Sequence, residues 1–155
     1  MATAQARAAA APAAPASAAK DDSDRITLED LVGRSLAHIV KSRRTVTVRG
    51  RAIAVWMFVD PRAPRRLPVL GLHGGPAYCH NYILPLQLLA EHGYPVVLYD
   101  QCGCGESNNG VGDPSKEPAN MHLLTVSYYV EEAAEVVRQL DLGAFYLYGS
   151  CTWVG

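Results

Sequence analysis

The sequence predicts an α/β fold, with an antiparallel hairpin leading into a parallel sheet with flanking helices. Three observations carry that expectation. First, Thr45 to Val59 reads as two strands, within "RTVTV" and "AIAVWMFV", folded about Arg49–Gly50. Second, "PVLGL", "PVVLY" and "AFYLY" are continuous apolar runs, the pattern of strands covered on both faces of a parallel sheet. Third, segments with helical apolar spacing separate those runs, so strand and helix alternate along the chain.

A length of 155 residues suits one domain. The leader "MATAQARAAAAPAAPASAAK" offers almost nothing that can pack a core, so residues 1–24 are expected to be disordered and residues 25–155 to form the domain. An organellar transit peptide is the alternative for the leader, which has no acidic residue before Asp21 but only Arg7 and Lys20 as cations. Pro12 and Pro15 interrupt its alanines, which argues against a secretory signal. In "TLEDLVGRSLAHIV", Thr27 is placed to cap a helix, Asp30 to answer it, and Leu28, Leu31, Leu36 and Ile39 to face the core, with Gly33 as the weak point.

After the hairpin, "DPRAPRRLP" is a loop by its prolines. Pro68–Leu72 is the first parallel strand, "NYILPLQLLAEHG" a helix stopped at Gly93, and Pro95–Tyr99 the second strand. A loop rich in Gly, Asn and Pro runs from Asp100 to about Leu124. "TVSYYVEEAAEVVRQLDLG" is a strong helix with an apolar stripe of Val126, Tyr129, Val130, Ala133, Val136, Val137 and Leu140, and Ala144–Tyr148 is the third strand.

A formal net charge of −1 provides no electrostatic footprint for nucleic acid or an anionic membrane, and neither is expected as a partner. No run approaches the roughly 20 apolar residues of a membrane span. Cys79, Cys102, Cys104 and Cys151 are irregularly spaced in a chain too large to need staples, which points to a reducing, cytoplasmic compartment. Cys102 and Cys104 lack a second ligand pair at metal spacing and are read as structural. Gly103-x-Gly105 lacks the third glycine of a dinucleotide loop. Neither metal nor cofactor is expected.

Three stretches carry chemistry. "HGGPAY" follows a buried strand, where paired glycines let backbone N–H groups approach a ligand closely, as stabilisation of an acyl oxyanion requires. "YDQCGCGES" follows the next strand. "FYLYGSCTWVG" runs a strand into a turn that approximates Gly-x-nucleophile-x-Gly.

In order and separation, HGGP, YDQxGCGxS, TVxYYVEE and a strand ending YG resemble the proline iminopeptidase group of the α/β-hydrolases over roughly Thr45 to Gly149. The resemblance implies the N-terminal half of an α/β-hydrolase fold. It also implies release of N-terminal proline or similar residues from peptide or amino-acid amide substrates by acyl-enzyme hydrolysis without a cofactor. Carried over by position, Gly75 with Gly74 and the N–H of Thr152 form the oxyanion hole, and His73, Asp100 and Gln101 brace the loops.

The turn departs from the pattern. With Gly149 first and Ser150 second, Cys151 takes the nucleophile's place, ahead of Ser150, which would need a slipped turn, and Trp153 stands where the last glycine belongs. Ala77 replaces a further glycine of the group. His38, His80, His92 and His122 precede the nucleophile, whereas the order in this fold is nucleophile, acid, histidine. The chain as written is therefore expected to be a nearly inactive, poorly soluble front portion, with a reading frame or splice boundary failing near Ser150. The rivals are a catalytically dead module with a binding role and another cofactor-free hydrolase such as an epoxide hydrolase.

Overall fold

The structure, a computed structural model, describes residues 28–75, 78–107 and 125–150. The leader, Thr27, Ala77, most of the loop before Leu124, and Cys151, Thr152 and Trp153 lie outside the described residues.

Helix α1 spans Leu28–Val32 and is shorter than its apolar spacing suggests. Gly33 adopts φ 66°, turning the chain out of the helix, and Leu36 and Ile39 are buried from the connection that follows instead of from a helical face. Strands β1, Val40–Val48, and β2, Arg51–Val59, pair antiparallel from Val40 opposite Val59 to Val48 opposite Arg51. Arg49 and Gly50 both carry positive φ, 47° and 77°, the conformation whose twist matches a two-residue hairpin. β1 starts before Thr45 because backbone pairing continues where side-chain alternation stops. Its Lys41 and Arg43 lie over the Phe58 and Trp56 rings, 5.8 and 5.9 Å from the centroids, and keep this edge charged.

Strands β3, Val69–Leu72, β4, Val96–Tyr99, and β5, Tyr146–Gly149, complete a five-stranded sheet in the order β1-β2-β4-β3-β5. The hairpin joins through the antiparallel β2–β4 pair, while β3 runs parallel to both β4 and β5. Leu72 lies beside Tyr99 on one side and beside Gly149 on the other. The C-terminal ends of the three parallel strands therefore open on one edge of the sheet, where ligands bind in open α/β folds.

One face of the sheet packs Ile83 and Ala90 of the helix His80–His92 against Trp56, Phe58 and Leu98. That helix is of the tighter 3₁₀ type throughout, with Pro85, which has no N–H to donate, in its interior. It stops at Gly93 as its sequence suggests, with φ 85° and the Gly93 N–H donating to Ala90 O. A Cβ on Gly93 would come within 1.8 Å of Pro64 O, so the position excludes every other residue on steric as well as conformational grounds.

The other face packs against helix α2, Val126–Gln139, which the Thr125 side chain caps by accepting the Tyr128 N–H. Here the expected stripe is corrected. Val136 is buried as expected, and Tyr129, Val137 and Leu140 pack against the core, but Tyr128 and Glu132, spaced four apart with Val136, complete the buried line, whereas Val126 and Val130 are 65% and 63% exposed. β5 is likewise an edge strand with exposed Tyr146, Leu147 and Tyr148 instead of a covered one, because among the described residues it pairs with β3 alone. Among the described residues no helix is long and apolar enough to cross a membrane.

Glu132 is fully buried, and its Oε2 accepts the Cys102 N–H at 3.0 Å, while Oε1 has no partner among the described residues. Burial pushes its carboxyl from 4.5 up to about 7, opposed only by the Cys102 N–H. A carboxyl that holds its proton more tightly when folded leaves stability whole below about pH 4.5 and erodes it as pH rises towards 7. Thermal melts from pH 4.5 to 8 should fall with this slope, worth about 3 kcal/mol over the range. Glu132→Gln, which keeps an acceptor for Cys102, should flatten it; parallel profiles would refute the assignment. Gly93→Ala should cost at least about 3 kcal/mol in denaturant unfolding, because the clash is with backbone and cannot be relieved by a rotamer change.

Candidate active site

A cleft of about 580 Å³ opens at the C-terminal ends of β3 and β5. His73, Gly74, Gly75, Gln101, Gly149 and Ser150 form its polar rim, and Leu72, Tyr129, Val130 and Leu147 are among its apolar walls. A mostly apolar cavity with a few convergent polar groups is the general form of a small-molecule site.

The rim is locked by a reciprocal pair between the loops after β3 and β4. The Gln101 N–H donates to His73 Nε2, and Gln101 Nε2 donates to His73 O, both at 2.9 Å. His73 Nδ1 donates to Gly74 O at 2.6 Å. These partners fix a neutral imidazole protonated at Nδ1, and burial holds its pKa below the usual value. With both ring nitrogens engaged, His73 has no lone pair free for a substrate. It shapes the loop.

Asp100 lies beneath the rim, 1% exposed. Its Oδ1 accepts both the His80 N–H and His80 Nδ1 at 2.8 Å, and its Oδ2 accepts the Glu106 N–H at 2.8 Å. Burial opposes its ionisation, but these donors outweigh burial and keep the carboxyl below its ordinary range. His80 in turn stacks on Trp56 with centroids 3.6 Å apart. Gly105 is required by this arrangement, since a Cβ there would stand 2.1 Å from Asp100 Oδ2.

The glycine pair is asymmetric. The Gly74 N–H donates to the Tyr82 hydroxyl, whereas no described residue engages the Gly75 N–H. On the facing strand, the Ser150 N–H donates to Leu72 O at 3.2 Å, continuing the β3–β5 ladder one residue past Gly149. Cys151 and Thr152 lie outside the described residues.

Cys102 and Cys104 are buried and in no disulfide among the described residues, and burial pushes the Cys102 thiol up, away from thiolate character. Among the described residues no group of His, Cys, Asp or Glu gathers at metal-ligand spacing. The sequence reading brings His73, Gly74, Gly75, Asp100, Gln101 and Ser150 to one edge of the sheet, as the structure does. It misses Tyr82, His80 and Glu132. Tyr82 and His80 sit at the start of a segment whose apolar spacing dominates its reading, and Glu132 looks like one of a run of solvated acids in "VEEAAE".

Comparison with known proteins agrees with this architecture. Residues 68–152 match the family model described as the alpha/beta hydrolase fold. A proline iminopeptidase of Lactobacillus delbrueckii subsp. lactis is 40% identical over 94 residues, covering 60% of this chain and 30% of that protein. One from Thermoplasma volcanium is 37% identical over 93 residues, covering 60% of this chain and 28% of that protein. The crystal structure of proline iminopeptidase from Mycobacterium smegmatis superposes with a TM-score of 0.62 at 30% identity, over 70% of this chain and 35% of that one. The chain thus spans about a third or less of these relatives. With a family match over more than half its length and the sheet order and strand-end loops described above, the chain belongs to the α/β-hydrolase fold family.

Proposed function

We propose that the cleft serves hydrolysis of the bond following an N-terminal proline or a similar residue in peptides and amino-acid amides, through an acyl-enzyme and without a cofactor. The observation that carries this reading is the register of β3 and β5. Leu72 pairs with Gly149, so the Gly74–Gly75 loop and the Ser150 turn leave adjacent parallel strands side by side on one rim. Neighbouring strands lie about 4.8 Å apart, the scale on which a carbonyl can meet a nucleophile from one loop and an N–H from the other. The named activity of the similar proteins supports the same choice of substrate class.

In this reading Cys151 attacks the substrate carbonyl, and the N–H groups of Gly75 and Thr152 receive the oxygen as it gains charge. The amine leaves with a proton, and water then hydrolyses the acyl group. Ser150 is the weaker candidate because its N–H still belongs to the strand ladder. Neither His73 nor His80 serves as base: both ring nitrogens of His73 are committed within the loops, and His80 is buried against Trp56, outside the residues that line the cleft. The reading assigns that role outside the described residues. The same commitment favours one second reading, a module that binds the peptide end without turning it over.

Assay of proline p-nitroanilide with the protein, Cys151→Ala and Ser150→Ala separates the two. Release of p-nitroaniline that Cys151→Ala lowers at least a hundredfold, and Ser150→Ala much less, supports the hydrolase reading. A folded protein that binds prolinamide with no release supports the binding module. Neither binding nor release would sink both.

A further inference from the structure

Tyr82 is 43% exposed on the first turn of the 3₁₀ helix, its ring edge-on to Tyr78 with centroids 5.7 Å apart. Its hydroxyl accepts the Gly74 N–H and donates towards the Ser150 carbonyl at 3.5 Å. One phenol thus bridges the two loops that flank the cleft mouth, from a third element packed on the opposite face of the sheet from α2. The bridge has a chemical consequence. An N–H already given to a phenol oxygen is not a free donor for an acyl oxygen, so the two glycines of the pair differ in what they offer.

We propose that Tyr82 is a positioning residue that straps the loop after β3 to the turn after β5, tying up the Gly74 N–H and leaving the Gly75 N–H as that loop's donor to an acyl oxyanion. Its catalytic consequence rests on the hydrolase reading above, whereas the strap itself does not. Removing the hydroxyl frees Gly74 and loosens the spacing between the loops, a change felt where charge develops on the carbonyl oxygen more than where the ground-state substrate binds. Tyr82 is not one of the buried core residues and Tyr82→Phe keeps its ring, so the substitution is expected to leave the fold intact.

Amide NMR and hydrogen exchange on the protein test the strap without any need for turnover. In the unsubstituted protein the Gly74 amide should resonate downfield and exchange at least tenfold more slowly than that of Gly75. Tyr82→Phe should move the Gly74 resonance upfield and speed its exchange at least tenfold, with the Gln101 and Val97 amides unchanged. Equal exchange at Gly74 and Gly75 in the unsubstituted protein overturns the proposal even if the variant fails to fold, as does an unmoved Gly74 in a folded variant. On proline p-nitroanilide, Tyr82→Phe should lower kcat about tenfold with KM within twofold. A rise in KM at constant kcat would make Tyr82 a substrate-binding residue and overturn the positioning role. Absence of turnover in the unsubstituted protein counts against the hydrolase reading alone, and the exchange data then decide the strap.

Discussion

The buried carboxylate of Asp100 is the constraint on which the functional edge depends. It stands at the end of β4, where a parallel strand exposes no further ladder partners, and it takes three donors from two other segments. By fixing the first residue of the 3₁₀ helix and the turn at Gly105–Ser107, it sets where the chain goes after β4. It also sets where Tyr82, two residues beyond His80, begins. The Asp100 N–H completes the arrangement by donating to Ala54 O on β2, so the hairpin is tied to the same point. A charge this deeply buried is tolerated because its donors replace the water it has lost.

Above that anchor the site is built almost entirely from backbone and neutral groups. His73 and Gln101 exchange hydrogen bonds across adjacent strand ends, and Ser107 Oγ accepts the Ala54 N–H on the same side. Such a network resists distortion, which matters for a loop whose proposed role is to hold an N–H still while charge develops nearby. It also explains why His73, although it lines the cleft, does not make it a general-base site. Both its ring nitrogens are spent on geometry.

Much of this was legible in the sequence, for identifiable reasons. Strand–helix alternation and the unbroken apolar runs give the sheet, and the glycine pair after β3 gives the loop, because both patterns follow from local chemistry. What escaped is what depends on tertiary packing. The expected stripe of α2 holds at buried Val136 and at half-buried Tyr129, Val137 and Leu140, but Val126 and Val130 are exposed and the buried line is completed by Tyr128 and Glu132, and a buried glutamate defeats any reading by hydropathy. β5 has the composition of a covered strand yet lies at an edge, and a strand's position in a sheet is set by partners distant in sequence. The leader's disorder and the nucleophile's identity concern residues outside those described.

The most direct test of the account is Asp100→Asn, followed by thermal unfolding and by amide exchange at His80 and Glu106. The substitution is nearly isosteric, but an amide has one acceptor oxygen where the carboxylate uses two. Its NH₂ must therefore face either the His80 donors or the Glu106 N–H. The account predicts a loss of about 3–5 kcal/mol, with faster exchange at His80 or Glu106 and at Gln101. A variant that melts with the unsubstituted protein and keeps those amides protected would contradict it.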